Sequence, residues 1–297
     1  MLSLAPIRYR NVLASHGGPI EQISLGEFPV CGRRLLQANA RLAPGLIAGR
    51  RKGSLYSDAD GTGTAASPML ARFKAVSEAI ERWAFHVKTR APDRELYGFD
   101  LDESSNGMAA YPGLTRSRAR RHALLEAVER ASLFSWWEGI ADGEARDTDW
   151  PGVKAVMLPS PIQVGLTVVA YKRCEPGFYA YGHAAGENFG EACERAVIEL
   201  ARNEFAVRRH RLDCGAANPA ASPLLFEQRC LFFATEAGYA LFEERLHRPA
   251  KGRRFVSKIV CDAEVPGPWS RYATVWRVVI SPPSDEFLSA TERYFFW

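Results

Sequence analysis

The phrase Glu78-Ala79-Ile80-Glu81-Arg82 returns as Glu126-Ala127-Val128-Glu129-Arg130 and again as Glu191-Ala192-Cys193-Glu194-Arg195. Residues three and four apart share one face of a helix. Each E-A-x-E-R therefore sets two carboxylates and an arginine on one side and turns its alanine and apolar neighbour away. The flanks are good helix formers with apolar residues at helical spacing: Phe73 and Val76 around the first copy, Leu124, Leu125 and Leu133 around the second, Ala196, Val197 and Leu200 around the third. All three phrases read as helical. Glutamate followed by arginine at this spacing also solvates exposed faces, the plain alternative for any single copy. Recurrence with the same small fillers, twice behind Gly-rich segments (GTGTAAS and SSNGMAAYPG), argues for a shared purpose.

Converging carboxylates repel unless a cation lies between them, and hard oxygen ligands in number suit magnesium, usually together with phosphate oxygens. Arginines beside such a cluster bind phosphate in forked geometry. The combination suggests a Mg–nucleotide site.

The motifs resemble, in order along the chain, those of the YcaO proteins: the GTGT segment followed by SEAIERW, then SSNGMAAYPG leading into ALLEAVERASLFSWW, then GENFGEACERAVIELARN. The resemblance covers roughly residues 45 to 210. It implies a fold of the family's own kind, ATP bound without a Walker loop, and activation of a peptide backbone amide oxygen on the way to azolines, thioamides or amidines. Carried onto this chain, it implies Mg2+ on Glu78, Glu81, Glu126, Glu129 and Glu199, phosphates on Arg82, Arg130 and Arg195, and amide contacts from Asn106 and Asn203. Arg195, Glu199 and Asn203 follow one another at four-residue steps along one helical face. Three positions depart from the pattern. Leu114 and Arg118 stand where an asparagine and a further metal-binding glutamate are usual, and Lys74 stands where serine is common. Arg118 and Lys74 are then expected either to take over phosphate charge in place of metal or to mark a decayed site. The family's lysine at the glycine turn is also missing, with Thr62 between Gly61 and Gly63, and Lys52 is its nearest substitute.

The whole chain is compatible with this reading. With 297 residues, 47% hydrophobic and 24% charged, it has ample length for a core. A net charge of +4 is too mild to argue for nucleic acid. Its six cysteines show no C-x-x-C pair and no histidine at metal spacing, so they read as reduced and structural. The first residues, MLSLAPIRYRN, lack a signal-peptide core and no segment approaches a membrane span, which predicts a cytoplasmic protein.

Helices are expected over 68–88, 115–138 (the longest) and near 223–237, with strands in KAVMLPS, QVGLTVVAYKR and FYAYGHAAG and near 255–260 and 271–280. The stretch 49–68 reads as one long loop. His122 and His183 are candidate acid–base groups, with a structural role the plain alternative, and no Ser-His-Asp or Cys-His order points to a hydrolase. The proline-alternating tail of azoline-forming members is missing; the aromatic run Tyr294-Phe295-Phe296-Trp297 is expected to pack on the core or a partner.

The expected fold is one α/β domain over residues 1–297, a mixed or antiparallel sheet with long helices converging on a nucleotide cleft. The expected function is ATP-dependent peptide amide activation with ATP and Mg2+ as cofactors. The partners are a peptide substrate and a protein that binds its leader or delivers the nucleophile, with a homodimer left open. A catalytically silent YcaO-like subunit that binds peptide or partner is the alternative.

Overall fold

A computed structural model describes residues 4–47, 55, 59–102, 104–113, 115–214, 222–250, 257–284, 286–289 and 291–297. Lys52 and Leu114 lie outside them. The chain opens with a short helix α1 (Ala5–Arg8) and a long hairpin, β1 (Ile20–Val30) and β2 (Arg33–Leu42). Then come β3 (Gly61–Ala65), α2 (Pro68–Lys88), β4 (Met108–Tyr111) and α3 (Arg116–Trp137). A meander of β5 (Glu144–Arg146), β6 (Lys154–Pro159), β7 (Leu166–Glu175) and β8 (Phe178–Gly186) feeds α4 (Phe189–Cys214). Helices α5 (Leu225–Phe233) and α6 (Glu236–His247), strands β9 (Ile259–Glu264) and β10 (Thr274–Ile280) and a short α7 (Glu286–Ser289) complete it.

Among the described residues the strands form three sheets, ordered β1-β2-β3, β4-β10-β9 and β5-β6-β7-β8, and the antiparallel pairing expected holds in each. Three helices follow a strand directly: α2 after β3, α3 after β4, α4 after β8. Glycine sets how closely the outer two approach. A Cβ on Gly61 would lie 2.1 Å from the Ala75 carbonyl oxygen, and one on Gly182 would lie 2.2 Å from that of Ala196. These strands therefore need bare backbone where the helix crosses. That is why Gly61–Ala65, read from sequence as loop, is a strand: its glycines are packing contacts, not turn formers.

Other boundaries also shift. The longest helix is α4, with 26 residues against 22 in α3. The helix expected over 223–237 is two, broken where the Thr235 side chain accepts the Gly238 amide and caps α6. The late strands begin at Ile259 and Thr274, the second delayed by a 3-10 turn over Pro268–Arg271.

The buried alanines of the phrases sit in these helix–strand seams: Ala79 and Ala192 are fully buried and Ala127 nearly so. Phe134, Trp136, Tyr181, Phe233, Phe242 and Phe295 build an aromatic core beside α3 and β8. Tyr294, Phe295 and Phe296 are buried in it, as expected of that run, and Arg229 holds the segment through the Thr291 and Phe287 carbonyls. Among the described residues no helix is long and apolar enough to cross a membrane.

Candidate functional site

Helices α2 and α3 bring Glu78, Glu81, Glu126 and Glu129 into one electrostatic cluster. Burial pushes the Glu81 carboxyl up to about 8 against the opposing charge of Arg82, and Glu78 adds to the rise. Burial also raises Glu126 well above the ordinary carboxylate range, with the charges of Glu81 and Glu129 next. Arg82 lies 4.0 Å from Glu78 but gives its shorter bond, 2.6 Å, to Ser105 Oγ. The carboxylates are crowded and poorly compensated.

Glu129 is held differently. Its Oε1 is 2.8 Å from His183 Nδ1 and its Oε2 accepts the Ala185 amide at 3.0 Å. A carboxylate accepts, so the contact assigns a proton to Nδ1 of His183. The His183 ring stacks on Phe296. Arg130 is also committed, 3.0 Å from buried Asp102, bonded to Ser104 Oγ and lying over Phe134, Phe287 and Phe296. Together with Arg82 it fastens Asp102, Ser104 and Ser105 to the site. Behind them fully buried Arg277 donates to the carbonyls of Tyr97, Asp102, Ser104 and Asn106. Asn106 turns its amide onto Ser104 Oγ at 3.0 Å.

The opposite wall is cationic. Lys74 Nζ donates to the Thr64 carbonyl at 3.2 Å, and Arg202 Nη2 donates to Thr64 Oγ1 at 2.9 Å and to the Thr62 carbonyl at 3.2 Å. Arg202 also pairs with Glu199 at 2.6 Å. Arg195 bonds the Ala185 carbonyl at 2.9 Å and acts electrostatically on both Lys74 and His122. Burial, then Arg195 and Arg118, lower the His122 pKa. Arg118 donates to the Tyr111 hydroxyl and lies over its ring. The walls meet on the open edge of β3, where the Thr62 amide donates to Glu78 Oε2 at 3.1 Å.

No protein-family model and no curated protein sequence matches the chain. Solved structures do. A structure of YcaO from Methanopyrus kandleri, bound with AMPPCP and Mg2+, superposes on 95% of this chain and 90% of its own, with a TM-score of 0.55 and 18% identity. The chain has the YcaO fold. The E. coli microcin synthetase McbBCD complex, alone and with pro-MccB17 bound, covers 87% of this chain and 87% of its own at a TM-score of 0.51 and 12% identity.

Within this YcaO fold the structure places two groups of the expected site residues apart from one another. The five glutamates do not assemble one ligand set. Among the described residues no three carboxylate, imidazole or thiol groups stand at metal-binding distances. Glu129 is taken by His183 and Ala185, and Glu199 stands across the cleft on Arg202. Asn203 leaves the site as well. It is 4% exposed, accepts the Tyr181 amide at 3.2 Å and donates to Cys230 Sγ at 2.9 Å, so it ties α4 to β8 and α5. Arg202, Thr64 and Asp102 were not singled out from sequence. Only Arg202 carried a signal, an i,i+3 pair with Glu199.

Proposed function

We propose that this chain binds Mg2+–ATP and uses it to activate a backbone amide of a peptide. The observation that carries the reading is the pairing of crowded carboxylates with crowded cations along one strand edge. Magnesium with a polyphosphate answers both walls at once. Sharing a fold with a YcaO bound with AMPPCP and Mg2+, and with a microcin synthetase complex with pro-MccB17 bound, supports the nucleotide and the peptide in turn.

On this reading Glu78, Glu81 and Glu126, which do not stand at metal-binding distances from one another in the free chain, would be drawn together by the ion as its oxygen ligands, and Lys74 and Arg195 would face phosphate, with Arg118 beside them. Arg82 and Arg130 hold Asp102, Ser104 and Ser105 as the floor of the site, and Glu129 fixes His183. The nucleotide, when bound, supplies a phosphoryl group that makes an amide oxygen easier to displace. The chain contributes position and charge stabilisation, while the attacking nucleophile comes from the peptide or from a partner protein.

Titration calorimetry with AMPPCP, with and without Mg2+, tests the proposal: binding is expected, and no heat in either condition overturns it. A silent, partner-binding subunit is then the reading left. The Glu199–Arg202 and Glu129–His183 pairs favour that second reading, because they satisfy two site carboxylates from within the chain.

A further inference from the structure

The two walls of the cleft differ in how their charges are compensated. Thr64 is gripped from two helices at once, by Lys74 of α2 through its carbonyl and by Arg202 of α4 through its hydroxyl. Two carboxylates lie close enough to act on Lys74, Glu194 and Glu199. Glu199 is already bound to Arg202 at 2.6 Å, and neither pairs with the lysine. Glu78, one turn along α2 from Lys74, is turned instead to the Thr62 amide and towards Arg82. Arg195 is no better matched, with Glu191 a distant 3.9 Å away. Burial, then the charges of Arg195 and Arg202, depress the Lys74 pKa, and the smaller opposing effects of Glu194 and Glu199 offset this only in part.

We infer that Lys74, Arg195 and Arg202 form a fixed-cation seat that holds a polyphosphate chain without a divalent metal. The inference rests on the nucleotide reading above and adds to it. The metal belongs to the carboxylate wall and is dispensable for holding phosphate on the cationic one. Lys74, held against the Thr64 carbonyl, is a point charge for a phosphate oxygen, Arg195 offers a planar fork, and Arg202 positions Thr64 while removing Glu199 as a competitor.

The probe is inorganic tripolyphosphate, titrated calorimetrically into the full chain in excess EDTA, with AMPPCP measured separately with and without Mg2+. Wild type is expected to bind tripolyphosphate in EDTA. Lys74→Gln is expected to weaken that binding roughly tenfold or more, and Arg248→Gln, which removes an exposed cation paired with Glu244 at the end of α6, is expected to leave it unchanged. Glu199→Gln frees Arg202 and should tighten binding roughly two- to fivefold, a gain that damage to the fold cannot imitate. If tripolyphosphate binds only when Mg2+ is added, or if Lys74→Gln binds as wild type does, the seat is wrong. AMPPCP binding with Mg2+ would in that event leave the proposed function standing. If tripolyphosphate binds in EDTA but AMPPCP binds under no condition, the seat stands and the nucleotide reading falls.

Discussion

The crowding of Glu81 makes a prediction about the free protein that requires no substrate. The carboxyl ordinarily titrates at 4.5 and is raised here to about 8. Below pH 4.5 folded and unfolded chains both carry the proton, so the group contributes nothing that depends on pH. Between the two values the unfolded chain releases the proton and the folded chain keeps it, so stability falls as pH rises and the loss is complete only above about 8. At 1.36 kcal/mol per unit, the loss by pH 7 is about 3 kcal/mol, and water reaching the half-buried carboxyl trims it to roughly 2. Glu81→Gln removes the titration while keeping the shape. The variant should match wild type near pH 5 and exceed it by roughly 2 kcal/mol at pH 7 to 8, a rise in melting temperature of roughly 5 °C for a chain of this size. Glu126 shifts in the same direction, in part through Glu81, so the substitution relieves it too. Thermal and urea unfolding of both proteins from pH 5 to 8 measures the difference, and saturating Mg2+ should narrow it by stabilising wild type. A gap that stays constant with pH would refute the reasoning, because Glu81 would then titrate like a solvated side chain.

Three further outcomes follow from the packing. Asn203→Ala should cost roughly 1–3 kcal/mol in urea unfolding, since the Tyr181 amide loses its acceptor, yet leave AMPPCP affinity within about twofold. Arg277→Met strips four carbonyls of their buried donor and should cost roughly 3 kcal/mol or more, with faster amide exchange concentrated at residues 104–106. Gly182→Ala puts a methyl group 2.1 Å from the Leu200 amide nitrogen and should push α4 off β8, lowering soluble yield and weakening any AMPPCP binding together.

Much of the fold was legible because its signals are local. The strands of 154–186 are β-branched and aromatic, and the helices of the repeated phrase have their apolar residues at helical spacing. β3 was hidden because Gly-Thr-Gly-Thr carries no apolar alternation; its extended form is dictated by α2 lying on it, a tertiary fact. β4, Met-Ala-Ala-Tyr, is equally bland and is a strand because β10 pairs with it. The misplacement of Asn203 has a geometric cause. Four-residue steps advance about 400°, so a stripe drifts about 40° at each step, and by the second step from Arg195 the drift is about 80°. A seven-residue step returns to within about 20°, which keeps Arg202 on the face of Arg195 and turns Asn203 towards the core.

The repeated phrase marks the site, but its third copy is out of step with the structure. Glu78 and Glu126 each stand ten residues beyond the first residue of their helices, Pro68 and Arg116. The third copy starts two residues beyond Phe189, so Glu191 serves the helix start, taking the Glu187 amide at 3.2 Å. Ten residues along α4 is Glu199. The seams agree with this register: Gly61 abuts the Ala75 carbonyl and the Ala79 amide, and Gly182 abuts the Ala196 carbonyl and the Leu200 amide, at matching places on α2 and α4. In that alignment Lys74 corresponds to Arg195, Glu78 to Glu199, and Glu81 to Arg202. His122 falls at the same level on α3 as Lys74 and Arg195, and both of these act on it. Strand–helix units of one geometry thus face the same cleft, and a single exchange of carboxylate for guanidinium separates their walls. Where α2 adds a second acid that its surroundings cannot neutralise, α4 adds the cation that neutralises its first. The asymmetry between these units, with carboxylates gathered on α2 and guanidinium groups on α4, comes from that exchange rather than from a difference in fold.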